Sequence, residues 1–374
     1  MPRFLRRLRL VVTVLLGLTC NGCIYARLFY FNDPNLDAPS YFDERVVRAS
    51  TTPAPFVKGP EAKLELTPKE RARYRTFDEF LESQGTRAFV VVHDDAVVYE
   101  RYFAGVTAST ELPSFSMSKT YAATLLARAV SDGLLPSMDA KLVTYVPELA
   151  AKPGYRDITL DELLRMTSGI DFDETTIAGP LFYYTTDLRR MMHGYDVAWR
   201  PGTHYLYGSL NVQLLWEVLH RRLGDETVTH YFERQVWGPL GATHAASWSL
   251  DSDTSGIEKF SGGFNSTARD HARIGLLYLH GGLANGRRIL PEEWVTRSLT
   301  PDPVAGLVHT TDDWVRRGRY QWFLTRNGRA FFAKGYEGQY IFVVPAKHAV
   351  FVRFGEGYGE TNWPSLFLRI ADRL

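Results

Sequence analysis

Arg87-Ala-Phe-Val-Val-Val-His93 and Ala96-Val-Val-Tyr-Glu-Arg-Tyr-Phe103, joined by Asp94-Asp95, decide how this chain is built. Both runs are rich in β-branched and aromatic residues, and the aspartate pair between them is a tight-turn signal, so the stretch predicts a β-hairpin. The last third repeats the signature: Arg319 to Leu324, Ala330 to Ala333, Gln339 to Val344 and Ala349 to Arg353 predict successive antiparallel strands, and Trp363 to Leu374 a closing helix. The region between is different. Ser116 to Asp132 has helical spacing, with Tyr121, Leu125, Ala129 and Val130 near one face and Gly133 as the stop. Further helices are predicted from the capping-type Asp157 to Met166, from Asn211 to Leu223 before Gly224, and from Thr267 to His280 before Gly281-Gly282. Strands at both ends with helices between predict an α+β fold, an antiparallel sheet flanked by helices with a mainly helical insertion.

The division expected along the chain is a leader over 1–23, an arm or tether over 24–70, and one body over 71–374. Within the body the α/β part covers about 71–135 and 256–374, and the helical part about 136–255. The arm is assigned from its proline and polar turn formers between residues 31 and 60.

Composition narrows the partners. With 43 basic and 42 acidic side chains the net charge is +1, which gives no field to attract a polyanion, so nucleic acid is not expected. The two cysteines, Cys20 and Cys23, both lie in the leader, so the body is expected to hold neither disulfide nor cysteine-ligated zinc. The ten histidines form no pair at helical spacing, and nothing in the spacing asks for a metal or other cofactor.

The leader reads as an export signal. Arg3, Arg6, Arg7 and Arg9 precede the apolar run Leu10 to Leu18. Three endings stay open: lipid attachment at Cys23, continuation through Ile24, Tyr25 and Ala26 as an uncleaved anchor, or cleavage that releases a soluble body. Each places the body outside the cytoplasm, and the first two hold it at the membrane on the periplasmic side.

Ser114-Phe-Ser116-Met-Ser118-Lys119 carries the chemistry. If a helix starts at Ser116, Lys119 lies one turn on, on the same face, within reach of the hydroxyl. A serine hydroxyl is a poor nucleophile without a neighbouring base, and a desolvated lysine can supply one. The spacing by itself specifies little: about one Ser-x-x-Lys match is expected by chance at this length, and taken alone the pair is better explained as a serine cap beside a solvated lysine.

The surrounding pattern discriminates. From about residue 85 to 374 the chain resembles the serine beta-lactamase and penicillin-binding protein superfamily, in its class C-like esterase and amidase branch. Val91 to Phe103 resembles the first hairpin, and Ser116-Met-Ser-Lys119 the nucleophile motif, with Asp132-Gly-Leu-Leu and Val146-Pro-Glu-Leu149 after it. Leu163-Leu-Arg-Met-Thr-Ser-Gly169, Pro201-Gly-Thr-His-Tyr-Leu-Tyr207, Gly262 to Asp270, Arg288 to Trp294 and Gly338 to Pro345 follow in the family's order. The resemblance implies a beta-lactamase/transpeptidase-like fold, Ser116 as nucleophile, Lys119 as its partner and Tyr207 as the third catalytic group. A phenolate form of Tyr207, stabilised by neighbouring lysines or helix dipoles, would relay the serine proton to the leaving group.

Two departures bear on substrate. Ser209 stands where the family's second motif often has the asparagine that holds a substrate amide. The third motif has no plain counterpart; its nearest equivalent is Ala333-Lys-Gly-Tyr-Glu-Gly-Gln339, where Lys334 is either a carboxylate anchor or a solvated hairpin lysine. Gly335, Gly338 and Gln339 are the remaining binding candidates, with an amide near Gly338 or Gln339 expected as an oxyanion donor. Asp187, His193 and His204 are assigned no role. The short Gly-x-x-Gly-Gln turn is similar to that of 6-aminohexanoate-dimer hydrolases and related esterases, which points to small esters or linear amides as substrates. The rivals are a beta-lactamase or D,D-carboxypeptidase, a D-aminopeptidase, and a non-catalytic sensor on the same fold.

Overall fold

The computed structural model describes residues 24–31, 33–304 and 315–374. The leader, including Cys23, lies outside the described residues, as do residues 305–314.

One eight-stranded sheet organises the body. Its strands are β1 (Val57–Lys58), β2 (Thr86–His93), β3 (Ala96–Tyr102), β4 (Val315–Arg317), β5 (Phe323–Thr325), β6 (Phe331–Gly335), β7 (Gln339–Val344) and β8 (Ala349–Gly355). The order across the sheet is β4-β5-β6-β7-β8-β2-β3-β1, antiparallel except where β1 runs parallel to β3. The predicted hairpin is present, and both turn residues adopt left-handed backbone, Asp94 at φ 46° and Asp95 at φ 61°. Aspartate tolerates that conformation, and the turn it makes matches the strand twist.

Side chains alternate across the sheet, and both faces are covered. Val90, Val92, Ile341, Val343, Val350 and Val352 join the larger core beneath the helices. Phe89, Val91, Phe342 and Phe351 join a second core closed by Trp363 and Phe367 of the C-terminal helix Trp363–Ala371. Double coverage explains why these strands read as unbroken apolar runs, and each buried side chain of this size contributes about 1.5–3 kcal/mol. The Ala268–Leu279 helix packs directly on the sheet at Gly275, where a Cβ would sit 2.8 Å from Val350 Cγ1.

A second, smaller sheet has four strands. It pairs Glu44–Val47, Ala246–Ser249, Phe264–Ser266 and Leu112–Pro113 in that order. The arm therefore supplies a strand to each sheet as well as lying over the body.

Three expectations change in detail. The helix predicted from Asp157 is capped at Thr159, because Thr159 and Glu162 form a reciprocal capping box, and it covers only Leu160–Leu164. The strand predicted from Arg319 begins at Phe323, since Gly318 N donates to Trp322 O at 2.7 Å, Gln321 takes φ 62° and its carbonyl accepts from Thr120 Oγ1. The Ser118–Ser131 helix is buried on nearly every side rather than along one face, because sheet and helical insertion enclose it. Ile24, Tyr25 and Ala26 belong to the helix Ile24–Phe31, whose Phe31 ring stacks on Tyr41 and Tyr184 at 4.5 and 5.8 Å. No helix among the described residues is long and apolar enough to cross a membrane.

Candidate active site

Ser116 sits in a single 3-10 turn, Phe115–Met117, that feeds the Ser118–Ser131 helix. The turn is held from below. Ser114 N donates to Phe264 O at 2.9 Å, Phe264 N donates to Ser118 Oγ at 2.9 Å, and the Ser114 and Ser118 hydroxyls pair at 2.7 Å. The two flanking serines of Ser-Phe-Ser-Met-Ser thus fasten the turn to the small sheet. Phe115 adopts φ 46°, a conformation that costs a non-glycine residue about 1–3 kcal/mol and that these bonds and its ring contact with Tyr336, 6.0 Å between centroids, overcome.

Lys119 lies one turn on, only 2% exposed, with Nζ 3.0 Å from Ser116 Oγ and donating to Ser261 O at 2.9 Å. Burial lowers its pKa, and the Glu174 carboxylate works the other way. Its Nζ is 5.0 Å from the centre of the Tyr207 ring. Burial, followed by the charge of Glu174, pushes the Tyr207 phenol above its ordinary value, while interaction with Ser116 lowers it. The phenolate expected from the sequence is therefore disfavoured, while burial shifts the Lys119 amine toward its uncharged form.

These groups open into a pocket of about 490 Å³, lined by Phe115, Ser116, Tyr183, Tyr207 and other aromatics. Ser209, Lys334 and Gly335 also line it. Ser209 starts the Ser209–Leu223 helix, and Lys334 lies 4.8 Å from the Tyr358 ring. Gly335 brings the end of β6 against the turn that holds Ser116. Gly338 and Gln339 do not line the pocket. Gln339 is buried inside the hairpin, donating to Tyr336 O and Gly355 O at 2.9 Å each and accepting from Gly355 N at 2.8 Å. Gly338, at φ 77°, packs against Arg353, whose Nη1 donates to its carbonyl at 2.6 Å. The residue that replaces them at the pocket is Tyr336.

Three pocket residues gave no signal in the sequence. Glu174 accepts the Ser209 amide at 2.6 Å, which ties the 171–177 loop to the start of a helix. Ser261 offers its carbonyl to Lys119 from just before Gly262-Gly263. Lys259, buried in the pocket wall, donates to Tyr183 O at 2.7 Å and Thr185 O at 3.3 Å, and burial lowers its pKa to about 7.

Asp187, His193 and His204 lie outside the pocket lining. Asp187 caps the Leu188–His193 helix, and His193 Nε2 is 2.8 Å from buried Glu217. Glu148, His193 and Glu217 are spaced for metal ligation, but the Arg221 guanidinium already sits between the two carboxylates, 2.7 Å from Glu217.

The family model described as Beta-lactamase matches residues 75–372. A 6-aminohexanoate-dimer hydrolase of Paenarthrobacter ureafaciens is 27% identical over 321 residues, 78% of this chain and 76% of that protein. Among solved structures, a Bacillus anthracis chain provisionally named as a 6-aminohexanoate-dimer hydrolase superposes with a TM-score of 0.76 at 22% identity, covering 93% of this chain and 94% of that one. A family VIII carboxylesterase gives 0.61 at 18% identity, over 79% and 94%. At these identities the structural likenesses speak for the fold.

Proposed function

The chain belongs to the beta-lactamase family, and on that footing we propose that it is an exported serine hydrolase that cleaves small ester or linear amide bonds through an acyl-enzyme on Ser116. The observation that carries the reading is the buried Lys119 amine 3.0 Å from the Ser116 hydroxyl. The 27%-identical relative named as a hydrolase supports the same reaction class.

In the proposed reaction the neutral Lys119 amine accepts the Ser116 proton as Oγ attacks the carbonyl carbon. The main-chain amides of Ser116 and Tyr336 are the candidate donors to the oxyanion, both residues lining the pocket. Tyr207, held protonated, gives its proton to the departing alkoxide or amine, and the Lys119 ammonium restores it. Water then attacks the acyl carbon, and the same groups return Ser116 to its starting state. Ser261 O fixes the amine, so its lone pair is aimed rather than free to rotate.

Ester and amide substrates are favoured over beta-lactams because Ser209 replaces an amide-gripping asparagine and aromatic rings dominate the wall. The leader is proposed to hold the body at the membrane on the periplasmic side. A fluorophosphonate probe should label the wild type and not Ser116→Ala; equal labelling of both would remove the assignment. Nitrophenyl esters, aminohexanoate oligomers and a chromogenic cephalosporin, assayed side by side, decide the bond. Faster turnover of the cephalosporin would install the beta-lactamase alternative.

A further inference from the structure

Resting on the hydrolase reading above, we propose that the substrate is an amphiphilic ester or amide carried in a lipid bilayer, and that an exposed apolar rim around the pocket mouth seats the protein on that bilayer.

The rim is a cluster and not a scatter. Tyr25 is 65% exposed, Phe29 53%, Tyr30 54%, Ile177 64%, Tyr336 45% and Tyr358 40%. Elsewhere among the described residues only Val46, Val57 and Leu283 are large apolar side chains left this open. Tyr336 and Tyr358 line the pocket itself. Ile177 precedes Ala178–Tyr184, the helix that forms one pocket wall, and Thr175 and Thr176 beside it are lining residues. At the other end of that helix, Tyr184 receives Phe31 of the arm, and Asp33 and Pro34, just after the arm helix, also line the pocket.

The arm helix carries aromatic rings on its outer as well as its inner side. Phe31 turns inward to the stack with Tyr41 and Tyr184, while Tyr25 and Tyr30 remain outside. Leaving aromatic rings in water is unfavourable, and contiguous exposed apolar surface marks an interaction site. Tyrosine, with an apolar body and a polar tip, belongs at the boundary between lipid and water.

The sequence ahead of the arm selects the occupant. Four arginines and the apolar run Leu10 to Leu18 end shortly before Ile24, where the arm helix begins. An eight-residue helix spans about 12 Å, so a leader held in a bilayer keeps Tyr25, Tyr30 and the pocket mouth near its surface. That tether raises the effective concentration of the rim at the lipid, and a weak contact then suffices. A substrate whose acyl chain lies in the bilayer meets an aromatic pocket without crossing water.

The test compares full-length wild type with the triple variant Tyr25→Ser, Tyr30→Ser, Ile177→Ser, none of which lines the pocket. Two substrates are used: nitrophenyl butyrate in buffer and a long-chain nitrophenyl ester in phosphatidylethanolamine–phosphatidylglycerol vesicles. The expected result is a loss of about tenfold on the vesicle ester with the soluble ester within about twofold of wild type. Parallel loss on both substrates, or no loss on the vesicle ester, overturns the proposal. So does a concentration-dependent dimer that the triple variant abolishes, because a second copy would then cover the rim. A second measurement does not depend on hydrolysis. A photoactivatable phospholipid in the same vesicles should label the 24–31 and 172–184 segments of full-length Ser116→Ala, and should lose that labelling when the three substitutions are added. Should the wild type turn over neither ester, the labelling still decides the docking face separately from the hydrolase reading.

Discussion

A Cβ built on Gly335 would lie 2.4 Å from the carbonyl oxygen of Ser114. The end of β6 and the nucleophile turn are therefore in contact through backbone, and no other residue fits between them. Gly335→Ala must push the strand from the turn. Because a misplacement of about 1 Å can cost about 10²-fold in rate, kcat/KM should fall by that order. The melting temperature, followed in parallel, should show the about 1–3 kcal/mol typical of overpacking.

Replacing Lys119 by methionine keeps much of the volume and removes the base. Ester turnover should drop by about 10³-fold, with the fold intact by circular dichroism. A variant within tenfold of wild type would mean that another group takes the serine proton.

The pH dependence follows from the lowered pKa of Lys119. The amine must be neutral to act, so kcat/KM should rise with pH and level off below the ordinary lysine value. Glu174→Gln keeps an acceptor for the Ser209 amide and removes the charge that holds the lysine pKa up. The rising limb should then move to lower pH; a shift to higher pH, or none, would separate Glu174 from the catalytic amine.

Lys259 predicts a stability effect of definite sign. Its pKa is about 7 when folded and 10.5 as the ordinary value, so between those limits the unfolded chain binds the extra proton. Stability attributable to this group rises with pH across that window. The difference in melting temperature between wild type and Lys259→Met should grow in favour of the wild type from pH 7 to pH 10.

Arg353 is fully buried and donates to Gly338 O at 2.6 Å, Gln84 O at 2.9 Å and Gly357 O at 3.0 Å. Arg353→Met leaves those carbonyls without a donor, at about 1–3 kcal/mol for each buried acceptor stranded. With three acceptors stranded, a loss of about 3 kcal/mol or more in urea unfolding is expected. Lower turnover should accompany it, because the Gly338 turn supports Tyr336.

Local sequence was informative where a short-range rule acts. Asp94-Asp95 announces its turn, Gly224 and Gly133 end their helices, and Gln339 to Val344 is a strand because two apolar faces need covering. The Ser116–Lys119 spacing placed both groups on one face before any fold was known. What the sequence concealed depends on partners distant along the chain. Glu174 matters because Ser209 and Lys119 are folded against its loop, and Lys259 because an aromatic wall encloses its amine. Gly338 and Gln339 looked like the turn that meets substrate, yet the side-chain amide of Gln339 is spent on Gly355 and the hairpin aims Tyr336 instead. A register question of two or three residues inside one short turn has no signature in composition.

The strand pairing between β8 and β2, with Val352 beside Val90, has a consequence for biosynthesis. Ser116 and Lys119 leave the ribosome early, but the central seam of the sheet waits for the final strands to join residues made much sooner. Gly335 and Tyr336 likewise complete the pocket only near the end of translation. A truncated nascent chain thus carries Ser116 and Lys119 without the pocket wall that a substrate would need, and on the proposed reading hydrolytic power arrives only with the finished polypeptide.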